Sequence, residues 1–221
     1  MPADFDAHPL ILSLKVATIA TLLALAVGMA LGWIFARHRF FGSSVLEAAC
    51  MLPLVLPPTV LGYGILVAMG RRSPLGAWLR EHFDYTIVFN WHGAVVASAL
   101  VALPLVLKSS SAAFGNVDRT LEAAARTLRQ SRWSVFVRVT LPLAWPGILA
   151  GALLAFARAM GEFGASLMVA GSIPKQTQTL SMAIYDAVQA GQNDYALLLV
   201  TITSLLSIVI LVASNRFFSL R

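Results

Sequence analysis

The chain has 221 residues, 58% of them hydrophobic and only 12% charged, with a mean hydropathy of +0.79. A soluble domain carries roughly a quarter charged residues, so composition excludes an ordinary soluble globule and points to an integral membrane protein. The net charge of +6 is then read as the basic loops of such a protein, not as a nucleic-acid surface, and the lone Cys50 in an apolar run excludes a disulfide framework or a thiolate metal site.

In chain order, the N-terminal MPADFDAHPL holds acids but no Lys or Arg, so it lacks the basic region that opens a signal peptide. A spanning helix needs about 20 mostly apolar residues. Five segments meet that length, at about 10–36, 45–69, 92–115, 143–170 and 195–218. The expectation is one all-α transmembrane domain over residues 1–221, with five spans per protomer.

The second segment contains LPLVLPPTVLGYG, in which Pro53, Pro57 and Pro58 cannot donate backbone hydrogen bonds and Gly62 and Gly64 loosen the helix further. Carbonyls freed in lipid must be satisfied by neighbouring helices or must face a wet cavity. Two readings stay open: a kinked, packed helix, or a broken span lining a path, with Pro57, Pro58, Thr59 and Gly62 as candidates. The 70–91 loop that follows is rich in Trp78, Phe83, Tyr85, Phe89 and Trp91, an interfacial set, and its 75–83 stretch is expected to lie along the membrane surface.

After the third span comes a basic interruption at about 116–142, with Arg119, Arg126, Arg129, Arg132 and Arg138. Leu121, Ala124, Ala125 and Leu128 recur at i, i+3, i+4, i+7, while Arg126 and Arg129 lie on another face and Trp133, Phe136 and Val137 form a second apolar cluster. Two short helices are expected, ending before LPLAWPG, where Pro142 and Pro146 restart the chain into the fourth span. Such a face either rests on anionic lipid or docks a cytosolic protein.

In the fourth segment Gly147, Gly151 and Ala152 permit close helix contact. Arg158 and Glu162 are its only ionisable residues, spaced i, i+4. A charge at mid-membrane costs about 2.5–3.5 kcal/mol on insertion scales. A self-neutralised pair that fixes packing is the favoured reading, and contact with a divalent oxyanion in transit is the alternative. Residues 171–194 read as a polar stretch before the last span. Counted by side, one set of loops holds ten Lys and Arg (Arg37, Arg39, Lys108, Arg119, Arg126, Arg129, Arg132, Arg138, Arg216, Arg221) and the other four (Arg71, Arg72, Arg80, Lys175). The positive-inside bias places the N-terminus outside and the C-terminus, with the basic interruption, in the cytoplasm.

The interruption resembles the EAA loop of membrane subunits in binding-protein-dependent ABC importers, E-A-A-x3-G-x9-I-x-L-P. Anchored on Leu141-Pro142, Val139 takes the isoleucine position and Ala124 and Ala125 the paired alanines. Ala123 stands where the glutamate is expected, with Glu122 one residue early. Arg129 holds the glycine position, so a sharp glycine turn is not expected there. The stretches LPLVLPPTVLGYGILVAMGRRSPLGAWL (52–79), AARTL (124–128) and FARAMGEFGAS (156–166) extend the likeness nearly end to end, to the molybdate permease family.

That resemblance implies a homodimer in the bacterial inner membrane. Each EAA-like loop would sit in a cleft of one of two cytoplasmic ATP-binding subunits, and an extracytoplasmic binding protein would deliver the oxyanion. ATP and Mg would be bound by the partner subunit. Leu121, Glu122, Ala124, Ala125, Arg126, Leu128, Arg129, Trp133 and Phe136 are the residues expected to couple to it. Sulfate, thiosulfate or tungstate permeases are the rival within transporters, and a non-transporting anchor or signalling subunit is the rival outside them.

The remaining motifs exclude chemistry in this chain. It has no G-x-x-x-x-G-K-[ST] loop, so an ATPase site is expected only in a separate chain. His8, His38, His82 and His92 are scattered without metal-ligand spacing, and Ser109, Ser110 and Ser111 have no histidine or acid arranged to activate them. No catalytic residue, metal or cofactor of its own is expected.

Overall fold

The computed structural model describes residues 6–38 and 40–218, with side chains described as far as 212. The first half of the N-terminal stretch, Arg39, Arg221 and the side chain of Arg216 therefore lie outside the described residues.

Among the described residues every regular element is helical. The order is α1 His8–Arg37, α2 Ser43–Val55, α3 Pro58–Met69, α4 Pro74–Phe83, α5 Trp91–Gly115, α6 Arg119–Thr127, α7 Arg132–Val135, a π turn Phe136–Thr140, α8 Leu141–Met160, α9 Gly164–Ala170, α10 Leu180–Gln189 and α11 Asn193–Phe218. Four helical runs are long and apolar enough to cross a membrane. The pair α2 and α3 makes a fifth if counted as one bent span.

The centre is α5, packed between α1 and α8. Small residues let these backbones approach. On α1, Ala17, Ala20, Ala24, Gly28 and Gly32 form one buried stripe. A Cβ at Gly28 would stand 2.9 Å from Val106 and one at Gly32 2.7 Å from Ser110, so nothing larger than glycine fits without displacement. Gly151 on α8 meets Ser109 of α5 in the same way. Without a hydrophobic drive between helices in lipid, such close packing carries the association.

Of the two readings left open for the second span, the break holds and the simple kink does not: α2 and α3 meet at 114°. Each proline forces its predecessor into extended backbone, so Leu56 (ψ 143°) and Pro57 (ψ 139°) are both non-helical, and the chain turns. The fourth span does not run to 170. It stops at Met160, and α9 resumes at Gly164 against α3 instead of continuing α8.

At its start, conversely, Pro142 interrupts nothing. Residues Arg132–Met160 form one continuous helical run. Leu141 N–H donates to Phe136 O, five residues back, and this wider π turn relieves the clash between the Pro142 ring and the preceding turn.

The 171–194 stretch also holds a helix that polarity concealed. α10 buries Leu180, Met182, Ala183 and Ala187, and Leu180 N–H donates to Ser13 Oγ on α1 at 2.7 Å. The 75–83 stretch is helical, as α4, its first turn capped by Ser73 Oγ, which accepts from Gly76 N–H at 2.9 Å.

Candidate functional site

Two regions gather the residues singled out by the sequence. The first is the end of the molecule where α1 and α5 finish and α8 begins. Helix α6 opens on Asp118, whose Oδ1 accepts the Thr120 N–H at 2.8 Å. Those bonds to Thr120, from the backbone and then the side chain, hold the Asp118 carboxyl below its ordinary value.

A surface helix normally turns its apolar stripe toward its own core. Helix α6 does the reverse and buries no residue. Leu121 is 49% and Leu128 75% exposed, with Ala124 exposed and Ala125 half-buried between them. The opposite side, with Arg119, Glu122, Ala123 and Arg126, lines a cavity of about 650 Å³ together with Trp33, Arg37, Arg132 and Phe136. The apolar face is therefore left uncovered by this protomer.

Trp133, in α7, is 72% exposed. Two other residues expected at the docking surface reach inward. Phe136 is half-buried: it packs against Trp33 and Phe114, with ring centroids 6.0 and 6.1 Å away, and stacks under Trp133 at 5.7 Å, so it links the exposed Trp133 to the protomer's core. Glu122 Oε1 accepts from Arg37 Nη2 at 2.6 Å and from Thr140 Oγ1 at 2.6 Å. Arg129 adopts φ +58° even though it is not glycine, and its N–H donates to Arg126 O at 3.0 Å. The turn that a glycine would favour forms here at the cost of a strained arginine.

The second region is where the two broken runs meet. Pro57, Pro58 and Thr59 are exposed at the α2–α3 break. A Cβ at Gly164, the first residue of α9, would lie 2.7 Å from Pro58, and one at Gly62 2.8 Å from Met168. The interruptions thus face each other, and α3 and α9 pack as neighbouring half-helices.

Arg158, near the end of α8, pairs with Glu162 at 3.0 Å. Glu162 is no longer helical. Its side chain is 2% exposed, and Oε1 accepts the Ala165 N–H at 3.0 Å, which caps α9. The carboxylate thereby neutralises Arg158 and secures the start of the next helix. Sequence spacing signalled the pair, and only the break revealed the cap.

The Arg37–Glu122–Thr140 cluster was missed by the sequence reading. The available signal was that Glu122 is the single acid between Arg119 and Pro142. Among the described residues no three His, Cys, Asp or Glu side chains are grouped to hold a metal.

Several apolar spans, facing breaks in two of them and an uncovered apolar helix at one end define a transport-type membrane subunit. Residues 28–221 match the family described as binding-protein-dependent transport system inner membrane component, and the chain belongs to it. It is 43% identical to the molybdenum transport system permease protein ModB of Escherichia coli K12, over 95% of this chain and 93% of that one. It is 44% identical to the putative molybdenum transport system permease protein YvgM of Bacillus subtilis, over 85% and 83%. Among solved structures, a chain of a bacterial alginate ABC transporter in complex with its pentasaccharide-bound periplasmic protein superposes with a TM-score of 0.74. That match has 14% identity and covers 99% of this chain and 80% of that one, a likeness of fold alone.

Proposed function

We propose that this chain is the permease subunit of a molybdate importer, and that two copies form the transmembrane pathway. The carrying observation is its likeness to ModB along nearly its whole length. Two ATP-binding subunits bind and hydrolyse ATP with Mg, and an extracytoplasmic binding protein presents the oxyanion. The chain supplies no phosphate loop of its own, so hydrolysis belongs to its partners.

The inverted helix α6 carries the docking face, and the N-terminus lies outside. In this reading a cleft of the ATPase covers Leu121, Ala124, Ala125 and Leu128, with Trp133 as a large anchor. Closure of the ATPase then swings α6 and the helices tied to it. The pathway alternates between outward-open and inward-open at the α3–α9 breaks. Backbone groups freed near Pro57, Pro58 and Thr59 are suited to face a wet cavity there. The Arg158–Glu162 pair stays closed through the cycle and holds α8 to α9, since conduction needs weak anion binding and not a tight site.

A plain anchor has no need of two facing helix breaks, which disfavours that rival. Uptake of labelled molybdate by a permease-deletion strain complemented with this chain tests the reading, with labelled sulfate and competing tungstate as the other arms. Sulfate uptake without molybdate uptake makes it a sulfate permease. Uptake of neither, with the ATPase still recruited, makes it an anchor.

A further inference from the structure

We propose that Glu122 is a positioning residue that locks the docking helix to two spans at once, and that it is not a contact for the ATPase. This rests on the coupling role of α6 argued above and adds the route by which its motion leaves it. Helix α6 is nine residues long and buries none of them, so packing alone gives it little hold on the protomer. Among its described side chains, Glu122 alone bonds to a different helix: Thr127 Oγ1 returns to Ala124 O of α6 itself.

Both of Glu122's bonds end on one oxygen and reach opposite structures. Arg37 is the last residue of the 30-residue α1, and Thr140 closes the π turn that feeds α8. A push on α6 is therefore delivered together to α1 and to the foot of α8. The far end of α8 carries Arg158 and the break before α9.

The surroundings make this tie hard to replace. The Arg37 and Glu122 side chains are 11% and 13% exposed, so water screens them poorly. Arg37 Nε is already buried without a hydrogen-bond partner. Arg119, Arg126 and Arg132 line the same cavity, and no carboxylate pairs with them among the described residues. Glu122 is the one acid in that lining. Without it the cavity holds only like charges, which push α6 away from α1.

The test uses the full complex of this chain, its ATP-binding subunits and the binding protein in liposomes. ATP hydrolysis and molybdate uptake are measured together. Glu122→Gln and Arg37→Gln are expected to keep the ATP-binding subunit in a pull-down and to lower uptake per ATP by about tenfold. The exchange Arg37→Glu with Glu122→Arg restores most of it. The pair Arg37→Leu with Glu122→Leu removes both charges without leaving either unpaired, and is expected to assemble and still to couple poorly.

A second readout needs no transported substrate. Spin labels at Thr127→Cys and Ala30→Cys, both exposed and outside the docking face, with Cys50→Ala, report the α6–α1 distance with and without ATP. It should hold within about 1–2 Å in the otherwise wild-type chain and spread in Glu122→Gln. An unchanged uptake-to-hydrolysis ratio in Glu122→Gln overturns the proposal, as does a nucleotide-dependent shift of that distance in the wild type. Loss of the ATPase from the Glu122→Gln pull-down, not regained in the exchange variant, makes Glu122 a docking contact instead. Failure of the wild type to take up molybdate, with the distance still locked, overturns the substrate and leaves the joint.

Discussion

Each of the two regions is built around one arginine–glutamate pair, and the pairs are made differently. Arg37 and Glu122 stand 85 residues apart, and both are nearly buried. Arg158 and Glu162 are one helical turn apart, with the arginine 35% exposed and the glutamate 2%. The long-range pair ties three elements that could otherwise move apart. The local pair cannot tie distant elements, and it secures a chain break by adding a cap. A pair's sequence separation thus tells which job it does: a joint between elements or a seal within one.

The comparison is broken most directly at the docking end. Ala125→Trp fills the flat face and is expected to weaken recruitment of the ATP-binding subunit about a hundredfold or more, and Trp133→Ala about tenfold. Membrane insertion should persist in both, because neither residue lies in the packed interior. A pull-down beside an insertion assay reads this. Normal recruitment by Ala125→Trp shows that α6 is not the docking element.

At the other region the seal is tested by a thermal-stability cycle in detergent. Arg158→Ala leaves Glu162 buried and charged. Pairs of this kind cost 3–5 kcal/mol when fully buried, and the exposure of Arg158 reduces that to about 2 kcal/mol. Combining it with Glu162→Gln, which keeps an acceptor for Ala165, should recover most of the loss. If all variants melt like the wild type and uptake is lost, Arg158 serves the anion and not the fold.

A smaller effect lies in the turn after α6. Arg129→Gly removes the strain of φ +58° and should stabilise by about 1 kcal/mol, raising the melting temperature by about 2–4 °C. Arg129→Val should lower it. The opposite order of the two would show that the arginine side chain contributes more than its backbone costs.

The smallest concerns pH. The Asp118 carboxyl is depressed by its bonds to Thr120, so its contribution is present above the unfolded carboxylate value. It fades as pH falls through the lower folded value. Hydrogen exchange at α6 should accelerate in that acidic window in the wild type. In Asp118→Asn, which keeps the cap without a titrating charge, it should depend less on pH.

Composition and length legibly marked the long helices. His8–Arg37, Trp91–Gly115 and Asn193–Phe218 lie within two residues of the segments read from hydropathy. The Leu121–Leu128 stripe and the i, i+4 spacing of Arg158 and Glu162 were equally plain, because helical periodicity is a local property. The sequence reading already aimed that stripe away from the protomer, at lipid or a partner. What it could not reveal is the other side of α6, where Glu122 faces a cavity shared with Arg37 and Trp33.

By itself the sequence determined an all-helical membrane chain, a short helix with an apolar stripe in the basic loop and a proline break, since each follows from residues within a few positions of one another. The tertiary structure alone decided that the α2–α3 break meets the α8–α9 break, that Phe136 links Trp133 to the core, and that Glu122 reaches back to Arg37. It also decided that Pro142 is absorbed by a π turn while Gly161 and Glu162 end a helix. These depend on partners far away in the chain, and local propensity is too weak to override the packing and charge pairing that such partners impose.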